Sequence, residues 1–449
     1  MTKIIKIQPV TRIEGHASIA IHLDDEGNVR DTRLHIMSLR GFEKFIEGRP
    51  AEEVPRIVNR ICGICPWMHH LAACKAVDGC FGVTPPPAGN RLRELCQIMA
   101  HISDKILHFF FLAAPDFVMG PDSDYAVRNV IGIVKQAPEL ASKVVKMRQL
   151  GQKMLEGFAG KSIHPIAGVT GGFSKPMTEE ERKDLLEGAG KLLDFSLYAL
   201  DYAKDAVFSR YEDMIKGLGS IKTGFLGTVD QEGSLRLYDG RLRLMKPDGS
   251  ISEFSPEDYT DYICEYVVPW SYAKMPYAKV WEEGFSLDLD SPKGVYRANT
   301  LARINVADKI STPRAQEALE EFRDKFGRPA QSTLLYHWAR LIELIYVCER
   351  SVELLNHPEI TDPNVRTRAT PKAGRGVGCV EAPRGTLIHD YVTDDNGCIV
   401  KANMIVGTTH NIAPMNLSVG RAAKSLIKNG KYDQGLLNKI EMAVRAYDP

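Results

Sequence analysis

The chain has 449 residues, 44% apolar and 25% charged, enough for a large core spread over two or three units and too apolar for a disordered chain. Lys and Arg together number 57, as do Asp and Glu, so there is no basic field to hold nucleic acid and no polybasic segment to hold an anionic membrane. No apolar run reaches the length of a membrane span, and Met1 to Gly15 lacks the apolar core of a signal peptide.

Ile4 to Gln8, Ala17 to Leu23 and Val29 to Ile36 alternate apolar and polar residues around a turn at residues 24 to 28, which predicts a small antiparallel sheet. Between its strands, Thr11-Arg-Ile-Glu-Gly-His16 breaks the apolar pattern with charges and a glycine. Helical periodicity follows at Ala51 to Arg60, Trp67 to Cys80 and Arg91 to Ala114. The polar residues of the last (His101, Ser103, Asp104, Lys105, His108) read as the solvated edge of a core stripe, with Pro115 ending the helix and Asp116 presented just past it. Pro138 to Phe158 and Glu179 to Met214 predict two more long helices and hence a bundle.

From Ser220 to Asp308 the pattern changes to short strands with Gly and Asp turns, an inserted β-rich lobe. Helices are expected again at Thr312 to Lys325 and Pro329 to Leu355, then strands from Gly376 to Val406 with a hairpin turn ending at Gly397, and a helical tail from Ala422 to Ala446. In Gly374-Arg-Gly376-Val-Gly378 the glycines recur at every second residue, which suits a strand or close packing and not a phosphate-binding loop.

The nine cysteines are odd in number and scattered, which suits free thiols in a reducing compartment. Only Cys62 and Cys65 have ligand spacing, in Arg60-Ile-Cys62-Gly-Ile-Cys65-Pro-Trp-Met-His69, directly ahead of a helix. Two thiols so placed support a structural zinc, a thiol redox pair or half of a redox-metal site, zinc being the commonest. No second group of four cysteines exists to hold an iron-sulfur cluster.

Five motifs in order, Thr11-Arg-Ile-Glu-Gly-His16, Arg40-Gly-Phe-Glu43, the Cys62/Cys65 segment, Glu381-Ala-Pro-Arg-Gly385 and Asp448-Pro449, resemble the large subunit of nickel-iron hydrogenases. Within that family the chain looks most like the cytosolic, methyl-viologen-reducing type of methanogenic archaea, which does not reduce the deazaflavin coenzyme. The fold expected is α+β: a long-helix bundle core with a small N-terminal antiparallel sheet and an inserted β-rich lobe. The resemblance implies one large-subunit domain over residues 1–449, made of an N-terminal sheet (1–48), a helical core with the CxxC (49–217), the β-rich lobe (218–310) and closing helices and strands (311–449).

The resemblance makes Cys62 a terminal nickel thiolate and Cys65 a thiolate bridging nickel to an iron that carries carbon monoxide and cyanide, for heterolytic cleavage of dihydrogen. It makes Glu14 a proton relay, tuned by burial. The alternative for Glu14 is a turn cap paired with Arg12. Arg384 would act electrostatically above the open metal position, its fork held by Asp116 and Asp448. His69 would lie beside the bridging sulfur, and Thr408 would offer a hydroxyl to an iron cyanide. Glu43 and the main-chain carbonyl of Met404 would hold a structural magnesium.

The family closes with Asp-Pro-Cys-x-x-Cys-x-x-His, whereas this sequence is written to Asp448-Pro449, so the remaining nickel ligands are expected from selenocysteine and the residues after it, or from a separate short polypeptide. Electrons would leave through an iron-sulfur small subunit toward an iron-sulfur adaptor and a heterodisulfide reductase, in the cytoplasm. The competing expectation is a relative without the nickel-iron centre, metal-free or with a structural zinc, serving as a respiratory-complex or assembly subunit.

Overall fold

The computed structural model describes residues 3–38 and 41–449; Arg40 of the second motif lies outside them. Strands β1 (Ile4–Ile7), β2 (Ala17–Leu23) and β3 (Val29–Ile36) form the antiparallel sheet read from the alternation, with Ile19, Ile21 and Leu34 fully buried. The bundle follows: α1 (Pro66–Phe81), α2 (Pro87–Leu107), α3 (Pro138–Ala159) and α4 (Glu179–Ala203). α4 opens with a reciprocal capping box between Thr178 and Glu181.

The inserted lobe holds strands β4 (Gly224–Val229), β5 (Arg241–Met245), β6 (Ile251–Phe254), β7 (Ile263–Tyr266), β8 (Met275–Ala278) and β9 (Tyr296–Arg297), in a four-stranded sheet of order β9-β4-β5-β6 and a β7/β8 pair. After α5 (Pro313–Phe326) comes α6 (Tyr336–Leu355), whose residues are nearly all buried and which packs on α2, α4 and α5 as the central helix of the core. A last antiparallel sheet, β10 (Gly374–Ala382), β11 (Gly385–Thr393) and β12 (Ile399–Ile405), precedes α7 (Ile412–Leu426) and α8 (Gln434–Arg445). The architecture is the expected α+β one. Among the described residues no helix is long and apolar enough to cross a membrane, and no cysteine is in a disulfide.

The alternating glycines explain how the last sheet meets the bundle. A Cβ on Gly374, Gly376 or Gly378 would fall 2.2, 2.0 and 1.9 Å from the carbonyl oxygens of Cys80, Ala76 and Ala72, one α1 turn apart each. Strand β10 therefore lies directly on the backbone of α1, and no larger residue fits. Gly376→Ala is expected to lower stability by about 1–3 kcal/mol or more through overpacking, read as a drop in the thermal unfolding midpoint.

Several helix boundaries differ from the sequence expectation. The helix expected from Arg91 starts at Pro87, and the one expected over Glu179 to Met214 ends at Ala203, with a π turn Lys204–Phe208 and a separate helix Glu212–Gly217 after it. Three more differ for reasons the packing shows. Pro115 does not end its helix: the chain passes through a wider π turn, His108–Ala113, into a short helix Ala114–Val118, where proline's missing N–H falls in the first turn and leaves no bond unmade. Asp116 is thus helical and buried rather than presented past the end. The helix expected from Pro329 starts at Tyr336 after a 3-10 turn, because Asn305 exchanges two hydrogen bonds with the Ala330 backbone (2.9 and 3.0 Å) and Arg297 takes the Gln331 carbonyl (2.8 Å). The tail is two helices parted at Asn429-Gly430, both at positive φ, where the Gly430 N–H reaches the Gly27 carbonyl of the N-terminal turn (2.7 Å).

Candidate metal centre

Cys65 is the N-cap residue of α1, with Pro66 at the helix start where its missing N–H is harmless. Cys62 lies one turn of loop earlier, and its sulfur accepts a hydrogen bond from the Cys65 backbone N–H at 3.3 Å. His69, four residues on, shares the face of Cys65. These three residues line a largely apolar cavity of about 230 Å³, whose other walls include Glu14, Arg384, Thr408 and Pro449. Residues from both ends of the chain thus meet the CxxC at one space.

Hydrogen bonding to Cys65, with help from the Arg384 charge, pulls the Cys62 thiol down to about 7, while the same bond and burial push Cys65 well up. The shared bond favours thiolate character at Cys62, the form that a soft cation binds. Among the described residues no third Cys, His or carboxylate joins the pair, so this part of the chain supplies two ligands and not a closed shell. The donor set fits a soft, thiolate-bound metal with further ligands entering from elsewhere, and the buried Nε2 of His69 has no hydrogen-bond partner.

Arg384 sits at the tip of the two-residue Pro383–Arg384 hairpin between β10 and β11, pointing inward. Its Nη1 donates to Asp104 Oδ2 and its Nη2 to Asp448 Oδ1, both at 2.9 Å and both buried. Burial pushes the Asp448 carboxyl up to about 7, against the pull of Arg384. The expectation that Asp116 holds this fork is corrected. Asp116 instead binds Arg445 (2.6 Å), Arg12 and Asn438 (3.1 Å), and so clamps the N-terminal loop to α8. Asp116 lies twelve residues beyond Asp104, about 18 Å along the helix axis, and so out of reach of the Arg384 fork.

Asp104 belongs to the polar stripe of α2, which is not a solvated edge. Of the residues expected on it, His101, Asp104, Lys105 and His108 are buried, as is Gln97, and Ser103 alone keeps partial exposure. Gln97 and His101 bind the Glu381 carbonyl (3.0 and 2.9 Å), Lys105 pairs with Glu343 (2.8 Å) and His108 meets the Arg445 carbonyl (2.8 Å). The missed signal was their spacing of four, three, one and three residues, which keeps them on one helix face. Arg303 closes the arrangement: it pairs with Glu343 and Glu381 and donates to the carbonyls of Ala382 (2.9 Å) and Pro383 (3.2 Å), the two residues before Arg384. Asn411 takes the Arg384 carbonyl itself at 2.9 Å.

Glu14 is exposed at the cavity rim, not buried as expected, since the loop carrying it lies at the cavity mouth and, among the described residues, no element covers it. Its backbone N–H donates to the Pro449 carbonyl at 3.0 Å, and its Oε1 lies 3.2 Å from where a Gly63 side chain would begin, so glycine in the CxxC loop makes room for the carboxylate. Arg12, held at φ +58° by its bonds to Asp116 and to the Leu112 carbonyl (2.7 Å), does not pair with Glu14, which removes the turn-cap alternative. Thr408 is half-buried in the 3-10 turn Gly407–Asn411. Glu43 stands apart from the sulfurs on an adjoining cavity, its Oε1 accepting from the Met404 N–H at 3.1 Å. The two cavities share Ile36, Ser38, Ile61 and Val406 in their walls and so adjoin.

The profile of the family described as nickel-dependent hydrogenase matches residues 40–153 and 294–449, and one described as HoxL-like matches residues 4–39. The chain is 50% identical to the vhu F420-non-reducing hydrogenase subunit of Methanococcus voltae over 95% of this chain and 99% of that one. It is 45% identical to an F420-non-reducing hydrogenase subunit of Methanothermobacter thermautotrophicus, over 99% and 93%. A crystal structure of an NAD+-reducing [NiFe]-hydrogenase in the H2-reduced state superimposes with a TM-score of 0.93 at 41% identity, covering 100% of this chain and 98% of that one. Sequence, fold and the thiol pair agree: this chain belongs to the nickel-dependent hydrogenases, as the large subunit of a nickel-iron oxidoreductase.

Proposed function

We propose that the chain is the hydrogen-cleaving subunit of an F420-non-reducing hydrogenase, with Cys62 and Cys65 as two of the nickel ligands and Cys65 shared with an iron bearing carbon monoxide and cyanide. The observation that carries this reading is the convergence of Cys62, Cys65, His69, Arg384 and Pro449 on one cavity. The centre would supply heterolytic cleavage of dihydrogen; the protein does the rest. Arg384, charged at all working pH and gripped by Asp104 and Asp448, presents a fixed cation over the sulfurs without reorganising. Glu14, between the CxxC loop and the rim, carries protons outward. Thr408 offers its hydroxyl to an iron-bound cyanide.

The remaining nickel ligands, selenocysteine among them, enter the cavity that Cys62 and Cys65 line. Glu43 and the Met404 carbonyl hold a magnesium at the adjoining cavity. Electrons leave through an iron-sulfur small subunit, then an iron-sulfur adaptor and a heterodisulfide reductase, in the cytoplasm.

Anaerobically purified complex is expected to contain nickel and iron, to show infrared bands of iron-bound carbon monoxide and cyanide, and to reduce viologen with hydrogen. Cys62→Ser is expected to lose nickel and all activity. Zinc alone, or no metal, would sink the reading. Glu14→Gln is expected to lower hydrogen oxidation by about 10²–10⁴-fold with nickel content intact; retained turnover would remove Glu14 from the proton route.

A further inference from the structure

His69 is not the end of its own hydrogen-bond chain. Its Nδ1 lies 3.3 Å from His389 Nε2, and His389 Nδ1 lies 2.6 Å from the Tyr391 hydroxyl, which in turn stands 3.9 Å from Met404 Sδ. His389 and Tyr391 are two residues apart on β11 and so share the face that meets α1. All three side chains are fully buried, with no measurable exposure. The far end, His69 Nε2, lacks a partner and belongs to a residue lining the cavity of Cys62 and Cys65.

Burial holds both imidazoles neutral, His69 down to about 3 and His389 well below its ordinary value, and keeps the Tyr391 phenol protonated. Each ring then owns one N–H, and only two arrangements leave no lone pair facing a lone pair. In the first, Tyr391 O–H donates to His389 Nδ1, His389 Nε2–H donates to His69 Nδ1, and His69 Nε2–H projects toward the cavity. In the second every bond is reversed, Tyr391 donates to Met404 Sδ, and a bare Nε2 lone pair faces the cavity. Both keep the 2.6 Å contact between the Tyr391 oxygen and His389 Nδ1, but in the first the more acidic phenol donates to the more basic imidazole nitrogen, and all that the second adds is a long bond to a thioether, a weak acceptor. It also leaves a donor, rather than a lone pair, on the ring that lines the cavity of the two thiols.

We propose that Tyr391, acting through His389, sets the tautomer of His69 so that an N–H is presented to the cysteine sulfurs, making Tyr391 and His389 positioning residues of the metal centre. Withdrawing that N–H leaves more electron density on the sulfurs and hence on the metals they bind. The inference rests on the nickel-iron reading, and its test separates the two.

The test compares infrared spectra of the intact complex carrying wild-type, Tyr391→Phe, His389→Leu and His389→Gln large subunits, alongside nickel and iron content. Tyr391→Phe and His389→Leu are expected to move the iron carbonyl band to lower wavenumber and to reduce hydrogen oxidation, His389→Leu by about tenfold, with metal content unchanged. His389→Gln, whose amide accepts from Tyr391 and donates to His69, is expected to keep the wild-type band position. Bands unmoved in Tyr391→Phe at full metal loading, or moved equally by Gln and Leu at position 389, would overturn the proposal. Should His389→Leu fail to fold, Tyr391→Phe decides alone. Wild-type complex without such bands would overturn the metal reading, and this inference with it.

Discussion

Arg384→Lys is expected to abolish most hydrogen oxidation, by about 10²–10³-fold, while nickel and iron stay at wild-type levels. The guanidinium spans two carboxylates at 2.9 Å each, Asp104 on α2 and Asp448 in the last turn of chain. A lysine ammonium is a point charge on a flexible stem, so it can satisfy one carboxylate but cannot bridge both and still hold its charge over Cys62 and Cys65. Arg384→Met removes the charge altogether, leaving buried Asp104 unpaired and Asp448 with only Arg340 at 3.9 Å, a change expected to cost about 3–5 kcal/mol in stability as well. The lysine variant therefore separates the electrostatic role from the structural one. Full turnover in a stable Arg384→Lys protein would make Arg384 a packing residue only.

Asp116→Leu is expected to have the opposite profile: a loss of about 3–5 kcal/mol in unfolding free energy, measured by denaturant titration, with activity per folded, nickel-loaded molecule little changed. Its carboxylate is the common anion for Arg12, Arg445 and, at 3.7 Å, Arg128, and all four side chains are largely shielded from water. Removing it strands buried guanidinium groups at the joint between the Thr11–His16 loop and α8. Asp104→Asn supplies the contrast, weakening the grip on Arg384 and hence turnover, with a smaller effect on stability because the amide still accepts from Nη1.

Much of the fold was legible because it repeats a local pattern. Strands β2 and β3 begin and end where the alternation does, and the alternating glycines announce a strand pressed on another backbone. What failed were positions where distant partners override local preference. The Asn305 side chain keeps Ala330 out of a helix that the periodicity would start there, and a π turn carries the chain through Pro115 where proline alone predicts a stop. The polar stripe of α2 misled for a related reason: a buried charged face and a solvated one have the same period, and only the carboxylates, carbonyls and guanidinium opposite it reveal which it is.

The sequence by itself determined the family, the thiol pair and the helix that presents it, because spacing along one turn of backbone is a local quantity and the motifs recur in order from the first strand to Pro449. Only the tertiary structure decided which acid serves which arginine. Read in line, Asp116 is the partner expected for Arg384 and Asp104 a solvated edge residue, whereas the structure sets Asp104 on Arg384 and Asp116 on Arg12 and Arg445. It likewise revealed His389 and Tyr391 behind His69, since a bond between residues 320 positions apart leaves no trace in local pattern. Long-range pairing of buried polar groups is set by which surfaces meet, and that is fixed only when the apolar core closes around them.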